Sequence, residues 1–188
     1  VLILQADLAL STRSKSEAIP YLLEALERIT VPEQKLYIID RLTGIYMDLS
    51  MYGSALEQFE LLPPFDRDYT HKYYLVQMKQ GGCYRELELF EDGEALYEEI
   101  LDNRYYSLYL LDIKFEFGLL YYYEKEIEEA RELFENITAS IDISETIAKS
   151  WYQLSLIQID NDGDLSKGTE SLQKTIEITR ESELRELA

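Results

Sequence analysis

The stretch Leu110–Tyr123, LLDIKFEFGLLYYY, and the stretch that follows it, Glu124–Thr138, EKEIEEARELFENIT, decide the fold of this 188-residue chain. In the second stretch, Ala130, Phe134 and Ile137 are separated by four and then three positions, which places them on one face of a helix. The first stretch is amphipathic, and the glutamates between the two suit a helix start, where carboxylates complement the helix dipole. These residues predict a helix, a short turn and a second helix.

The same pattern recurs along the chain. A small residue is followed four positions later by a large apolar residue, and the small residues lie 37 or 38 positions apart: Ala18, Ala55, Gly93, Ala130 and, in a weaker fifth copy, Gly168. Amphipathic stretches precede the last four copies at Lys35–Leu49, Tyr74–Leu87, Leu110–Tyr123 and Ala148–Ile159. One hairpin cannot bury its own apolar face, so neighbouring hairpins must stack. We therefore predict an all-α chain, a single array of about five hairpins at roughly residues 1–30, 31–64, 65–104, 105–141 and 142–180.

The composition restricts the classes of partner. A net charge of −19 argues against nucleic acid and against an anionic membrane surface, because both need basic side chains to neutralise phosphate. No apolar run is long enough to span a membrane and no secretion signal is recognisable, so we expect a cytoplasmic protein. The chain does not begin with Met, and no polar capping helix is recognisable after the fifth hairpin. We expect a fragment of a longer chain, or self-association through uncapped ends.

The sequence contains little that is typical of a catalytic or metal-binding site. The single histidine, His71, lies in a polar stretch between hairpins, and there is no Gly-rich phosphate loop. Cys83, beside two glycines, suits a small buried position better than a reactive thiol. The acidic run 160–164 fails the calcium-loop spacing, because Glu170 comes one residue too late for the closing ligand. We predict a non-enzyme without metal or cofactor.

The hairpins resemble tetratricopeptide repeats. The fourth unit carries the resemblance best, and the second follows it: Phe117, Gly118, Tyr121, Ala130, Phe134 and Ile137, then Leu42, Thr43, Tyr46, Ala55, Phe59 and Leu62. Repeats of that family span about 34 residues, so these units are three or four residues longer. Longer α-hairpin repeats, such as those of bacterial peptide-sensing regulators, are a second resemblance. The resemblance implies a right-handed α-solenoid with a concave groove.

The resemblance also implies which residues line that groove, because the first helix of each unit forms it and usually holds a peptide or a partner's helix. The implied residues are Tyr37, Asp40, Gly44, Met47, Asp48, Leu75, Met78, Gly82, Arg85, Asp112, Phe115, Leu119, Tyr122, Tyr123, Gln153 and Asp160. Of the positions that match the carboxylate clamp of chaperone-binding members, only Arg85 has suitable chemistry, so we predict no binding of acidic chaperone tails. The four aspartates favour a basic or amphipathic segment, with aromatic side chains as anchors.

Three functions fit this sequence. The first is a scaffold that binds a protein or peptide in the groove. The second is a peptide-sensing regulatory domain of a larger protein, for example one that regulates transcription. The third is an assembly or accessory factor for an enzyme complex.

Overall fold

The computed structural model describes residues 4, 5, 7, 15–140 and 144–186, with side chains described as far as Thr179. This part of the chain is helical and contains no strand. Its α-helices are α1 Lys15–Arg28, α2 Pro32–Asp48, α3 Tyr52–Phe59, α4 Thr70–Glu86, α5 Phe90–Asp102, α6 Leu110–Glu124, α7 Ile127–Thr138, α8 Glu145–Leu156 and α9 Leu165–Glu186. Most of the first predicted hairpin before Lys15 and the predicted boundary at 141–142 lie outside the described residues. None of the helices in these ranges combines the length and apolarity needed to cross a membrane.

The chain divides into two compact units, Val1–Asp92 and Gly93–Ala188. In the first unit, α2 packs against α1, α3 and α4, and α3 also packs against α4. In the second unit, α6 packs against α7 and α8, α7 against α8, and α8 against α9. Each unit therefore stacks successive helices so that the first helices of adjacent hairpins, α2 with α4 and α6 with α8, are in contact.

The recurring small residues lie at the points of closest helix packing, as the spacing predicts. Ala18, Ala55 and Ala130 are completely buried, and Gly93 and Gly168 are buried as well. A Cβ atom on Gly168 would lie 2.3 Å from Cγ1 of Ile159, so α9 approaches the end of α8 as closely as a glycine allows. The fifth copy departs from the pattern, because Thr175 takes the position that Ile137 has in the fourth copy, and the next apolar residue, Ile176, is 68% exposed.

The turn between the two helices recurs in the second to fifth hairpins with the same spacing as the helices. Ser50, Glu88, Lys125 and Gly163 all have positive φ angles, between 57° and 76°, and they too are 37 or 38 residues apart. In the first three turns the residue after the positive-φ position donates its N–H to the carbonyl five residues back, at 2.8–3.0 Å. This is the hydrogen bond of a Schellman cap, which ends a helix and reverses the chain.

Hydrogen bonds define the turn before α5 and the N-cap of α8. The residues Phe90–Gly93 form the first turn of α5, and the turn that precedes this helix lies at 87–89. Ser144 is the N-cap of α8, because its hydroxyl accepts a hydrogen bond from the Ile147 N–H at 3.3 Å.

Candidate functional site

The acidic groove residues predicted on α2 are paired within the first unit. The Asp40 carboxylate accepts a hydrogen bond from Lys79 Nζ at 2.6 Å, and the same ammonium also binds the Asp40 carbonyl oxygen at 2.9 Å. Asp48 forms an ion pair with Lys15 at 2.6 Å. Lys79 comes from α4, so it joins the first helices of two adjacent hairpins. Neither carboxylate is left to present an uncompensated negative charge to a partner.

Among the other predicted groove positions in the first unit, Met47 faces a neighbouring helix, whereas Leu75 is 41% exposed. Met47 packs beside Gly82. A Cβ atom added to Gly82 would lie 3.5 Å from Cε of Met47. Met78 and Arg85, on α4, are half-buried. The backbone at Gly82 thus leaves room for the methionine, and this part of the surface is filled by the chain itself.

Tyr37 is the predicted residue of the first unit that presents a ring to solvent. It is 37% exposed, and the Arg41 guanidinium lies 5.6 Å from its ring centroid. Arg41 also donates a hydrogen bond to Asp7. An arginine of the chain therefore already covers one face of this tyrosine.

In the second unit, the prediction that Phe115 lines an open groove is wrong. Its side chain is only 8% exposed, and its ring packs against Phe134 with the centroids 5.8 Å apart. Phe115 belongs to the core cluster between α6, α7 and α8, and half-buried Leu119 packs against the same cluster. Asp112, at the start of α6, accepts a hydrogen bond from the Thr146 hydroxyl of α8. Helical phase alone did not reveal that the second helix of the hairpin covers this phenylalanine.

The three consecutive tyrosines at the end of α6 have three different environments. Tyr121 stacks on Phe117 with the centroids 4.6 Å apart, and its hydroxyl donates to Glu94 at 2.5 Å. Burial and that carboxylate raise the pKa of Tyr121. Tyr122 is half-buried, while Tyr123 is 53% exposed. One tyrosine of the three thus packs inward while another stays exposed, because consecutive residues of a helix point about 100° apart.

Tyr122, Tyr123, Tyr152 and Asp160 form what we call the tyrosine cluster. The rings of Tyr122 and Tyr123 meet edge to face with their centroids 6.3 Å apart, and Tyr152 on α8 is 44% exposed. The pKa of Tyr122 is raised, first by partial burial and then by the nearby Asp160, Tyr123 and Tyr152.

The chemistry of the tyrosine cluster suits a cation. Asp160 is exposed, and within residues 15–140 and 144–179 no basic side chain forms an ion pair with it. Lys125 Nζ lies 5.8 Å from the centroid of the Tyr122 ring, so one face of that ring already attracts an ammonium group. Gln153, the remaining predicted residue of α8, is half-buried.

The rest of the acidic run at 160–164 has structural roles. Asp162 receives two hydrogen bonds from the Arg131 guanidinium, at 2.8 and 3.0 Å, which join α7 to the turn after α8. Asp164 accepts the Lys167 N–H at 3.0 Å at the start of α9. In the part of the chain that the structure describes, no three His, Cys, Asp or Glu side chains are grouped to hold a metal ion.

The remaining chemically distinctive side chains behave as the sequence indicates. Cys83 is completely buried, and burial raises the pKa of its thiol to about 11. His71 is exposed and stacks on Tyr74 with the ring centroids 6.2 Å apart. The buried position of Cys83 is what the sequence predicted, and the exposure of His71 agrees with the polar stretch in which it lies.

Three residues of these surfaces were missed by the sequence reasoning. Lys79 lies 39 positions after the Asp40 that it binds, and opposite charges about one repeat apart were a usable signal for this pair. Tyr152 directly precedes Gln153, and Lys125 follows the tyrosine triplet. No sequence pattern distinguishes these last two from ordinary exposed side chains, because their relevance depends on how α6 and α8 pack.

Comparison with known proteins shows the fold of this chain but does not assign the chain to a family. No family model matches the chain, and no curated protein does. MamA from Desulfovibrio magneticus RS-1 is similar in structure at 16% identity and a TM-score of 0.70, covering 96% of this chain and 94% of its own. A putative kinesin light chain with TPR-like repeats from Podosopora anserina matches at 16% identity and a TM-score of 0.69, covering 95% and 93%.

A regulator of conjugation genes also shares the fold. The Rap regulator of plasmid pLS20, solved in complex with the Phr* peptide, matches at 14% identity and a TM-score of 0.65, covering 95% of this chain but 52% of its own. The chain thus has the tetratricopeptide-like fold of stacked helical hairpins that the sequence predicted.

Proposed function

Starting from the tetratricopeptide-like fold, we propose that this chain is a non-catalytic scaffold that binds a basic or amphipathic protein segment through the tyrosine cluster of its second unit. The observation that carries the proposal is the combination of exposed Tyr123 and Tyr152 with Asp160, which has no ion pair among the described residues. Tyrosine is a frequent anchor at protein interfaces, because it combines a large apolar ring with a polar tip.

The charge of the chain supports the choice of a basic partner. A net charge of −19 attracts positively charged segments over a distance of roughly one Debye length, about 8 Å at physiological salt. The first unit offers no comparable free carboxylate at its predicted aspartates, which supports placing the binding site in the second unit. Its Asp40 and Asp48 are already paired with lysines. Asp160 has a negative charge to contribute to an interface, and the two paired aspartates do not.

The test uses a fluorescein-labelled amphipathic peptide of about 14 residues, with leucines on one helical face and lysines on the other. Fluorescence anisotropy compares the parent with a Tyr123→Ser/Asp160→Asn variant. Both substituted side chains are exposed, so the fold is retained, unlike in any variant that removes Phe115. We expect the variant to bind about tenfold more weakly, a loss of about 1.4 kcal/mol, and binding by the parent to weaken as salt increases.

A matched control removes the same chemical groups elsewhere in the second unit. The Tyr105→Ser/Asp102→Asn variant also loses one exposed tyrosine and one exposed aspartate. It should bind the peptide as the parent does. Equal weakening by both double variants would show that only the total charge matters, and the tyrosine cluster would not be the site.

One observation favours a peptide-sensing domain as a second candidate. The Rap regulator shares the fold and was solved with a peptide bound. For this chain, the candidate requires that a peptide changes the conformation of the array as well as binding to it. Small-angle scattering with and without saturating peptide separates the two functions, because a scaffold keeps its radius of gyration and a sensor changes it.

A further inference from the structure

Lys125 has an unusual position for a lysine in so acidic a chain. It lies between Glu124 and Glu126, yet it forms no ion pair with any carboxylate in the described ranges. Its ammonium instead lies 5.8 Å from the centroid of the Tyr122 ring. Lys125 is also the positive-φ residue that ends α6, with φ of 76°.

We propose that Lys125 occupies the place of a partner's basic side chain, and that a lysine or arginine of the partner displaces it from the Tyr122 ring when the partner binds. This inference rests on the proposed function of the tyrosine cluster. The partner's cation would then lie over the Tyr122 ring and beside Asp160. Lys125 is thus an internal competitor that lowers the affinity for basic segments.

The geometry supports displacement because the contact is weak and open to solvent. A solvent-exposed ammonium above an aromatic ring gains little in water, and Lys125 is an exposed side chain on a flexible stem. Its ammonium group can leave without disturbing the backbone turn, which is held by N–H bonds to the carbonyl oxygens of Tyr121 and Tyr122. A partner cation gains the same ring and, in addition, the exposed carboxylate of Asp160, which lies just beyond the end of α8, the helix that packs against α6. This carboxylate is also one of the groups that raise the pKa of Tyr122.

The test is a Lys125→Asn variant measured with the same fluorescein-labelled peptide. Asparagine tolerates a positive φ angle, and its side chain is too short to cover the ring. We expect the variant to bind the peptide about two- to fivefold more tightly than the parent, the range that one exposed cation–aromatic contact represents. Circular dichroism of both proteins checks that the helix content is unchanged.

The control separates the local contact from the loss of one positive charge. Lys149 is an exposed lysine of α8 in the same unit, paired with Glu145 at 2.8 Å. Lys149→Gln removes the same charge, and at about 0.15 M salt it should stay within about 1.5-fold of the parent, because the Debye length is about 8 Å. Adding Asp160→Asn to Lys125→Asn should abolish the gain.

The outcomes separate this inference from the proposed function. If the parent binds the peptide but Lys125→Asn is no tighter than Lys149→Gln, Lys125 does not compete and the scaffold function stands. A gain that persists without Asp160 also overturns the inference, because the cation then binds elsewhere. If neither the parent nor any variant binds the peptide, the proposed function fails and the inference fails with it. Binding by Lys125→Asn alone supports both.

Discussion

Replacing Gly118 by alanine tests the packing that the repeat pattern encodes. Gly118 is buried on α6, and a Cβ atom there would lie 2.7, 3.0 and 3.2 Å from three ring atoms of Phe134. Phe134 is completely buried and is held against Phe115, so its ring cannot move aside cheaply. Overpacking a close-packed core costs about 1–3 kcal/mol, and three contacts this short with a fixed ring place Gly118→Ala near the top of that range.

The expected loss of stability is the difference between two terms. Alanine is favoured over glycine by about 1 kcal/mol inside a helix, which offsets part of the overpacking cost of about 3 kcal/mol. We therefore expect a net destabilisation of about 2 kcal/mol, or a fall in Tm of about 4–8 °C for a chain of this size. Urea unfolding followed by circular dichroism measures it. Fluorescence of Trp151, which packs against the core of the second unit, reports on that unit separately.

Gly53 provides the matched control. It lies in α3, is exposed, and an added Cβ atom would find no atom within 4 Å. Gly53→Ala should stabilise the protein by about 0.5 kcal/mol, because only the helix preference changes. If Gly118→Ala proved as harmless as Gly53→Ala, the close approach of α6 and α7 would not limit residue size, and the packing argument would be refuted.

Three further predictions concern single contacts. Arg131→Met and Asp162→Asn should show a coupling of about 1 kcal/mol in a double-mutant cycle of urea unfolding, because the pair makes two hydrogen bonds; additive effects would contradict this. Cys83 should resist thiol reagents at about pH 8, because burial raises its pKa to about 11. The stability that its protonated thiol provides is present below the unfolded pKa of about 8.5 and is lost as the pH rises through about 11. A Cys83→Ala variant should therefore lose less stability than the parent between these pH values in urea titrations. Ser144→Ala should cost about 1 kcal/mol of stability through loss of the N-cap bond to Ile147, whereas Ser144→Asp should preserve it.

The repeat could be predicted from the sequence because its cause is local. Small residues at Ala18, Ala55 and Ala130 recur with the period of the hairpin, and each is buried at a helix contact. Helical phase follows from offsets of three and four within one helix, and turn residues follow from backbone preferences. Neither requires knowledge of which helix lies next to which.

Some of the candidate site could be predicted for the same reason, and some could not. Tyr122 and Tyr123 were identified from the groove-facing positions that the resemblance implies on the first helix of their hairpin, and such positions follow helical phase. Phe115 was misassigned, because it shares the groove-facing phase but is covered by Phe134 of the second helix. Tyr152 was missed, although the packing of α8 on α6 places it near Tyr122.

The sequence by itself therefore determined the all-helical hairpin repeat, its period and its buried small residues. Only the tertiary structure decided which predicted groove residues remain available to a partner. It paired Asp40 with Lys79, which lies 39 positions away, and left Asp160 without an ion pair among the described residues. The physical reason is that helical phase depends on neighbours three and four positions apart, whereas the burial and charge of a side chain depend on groups that a different helix brings next to it.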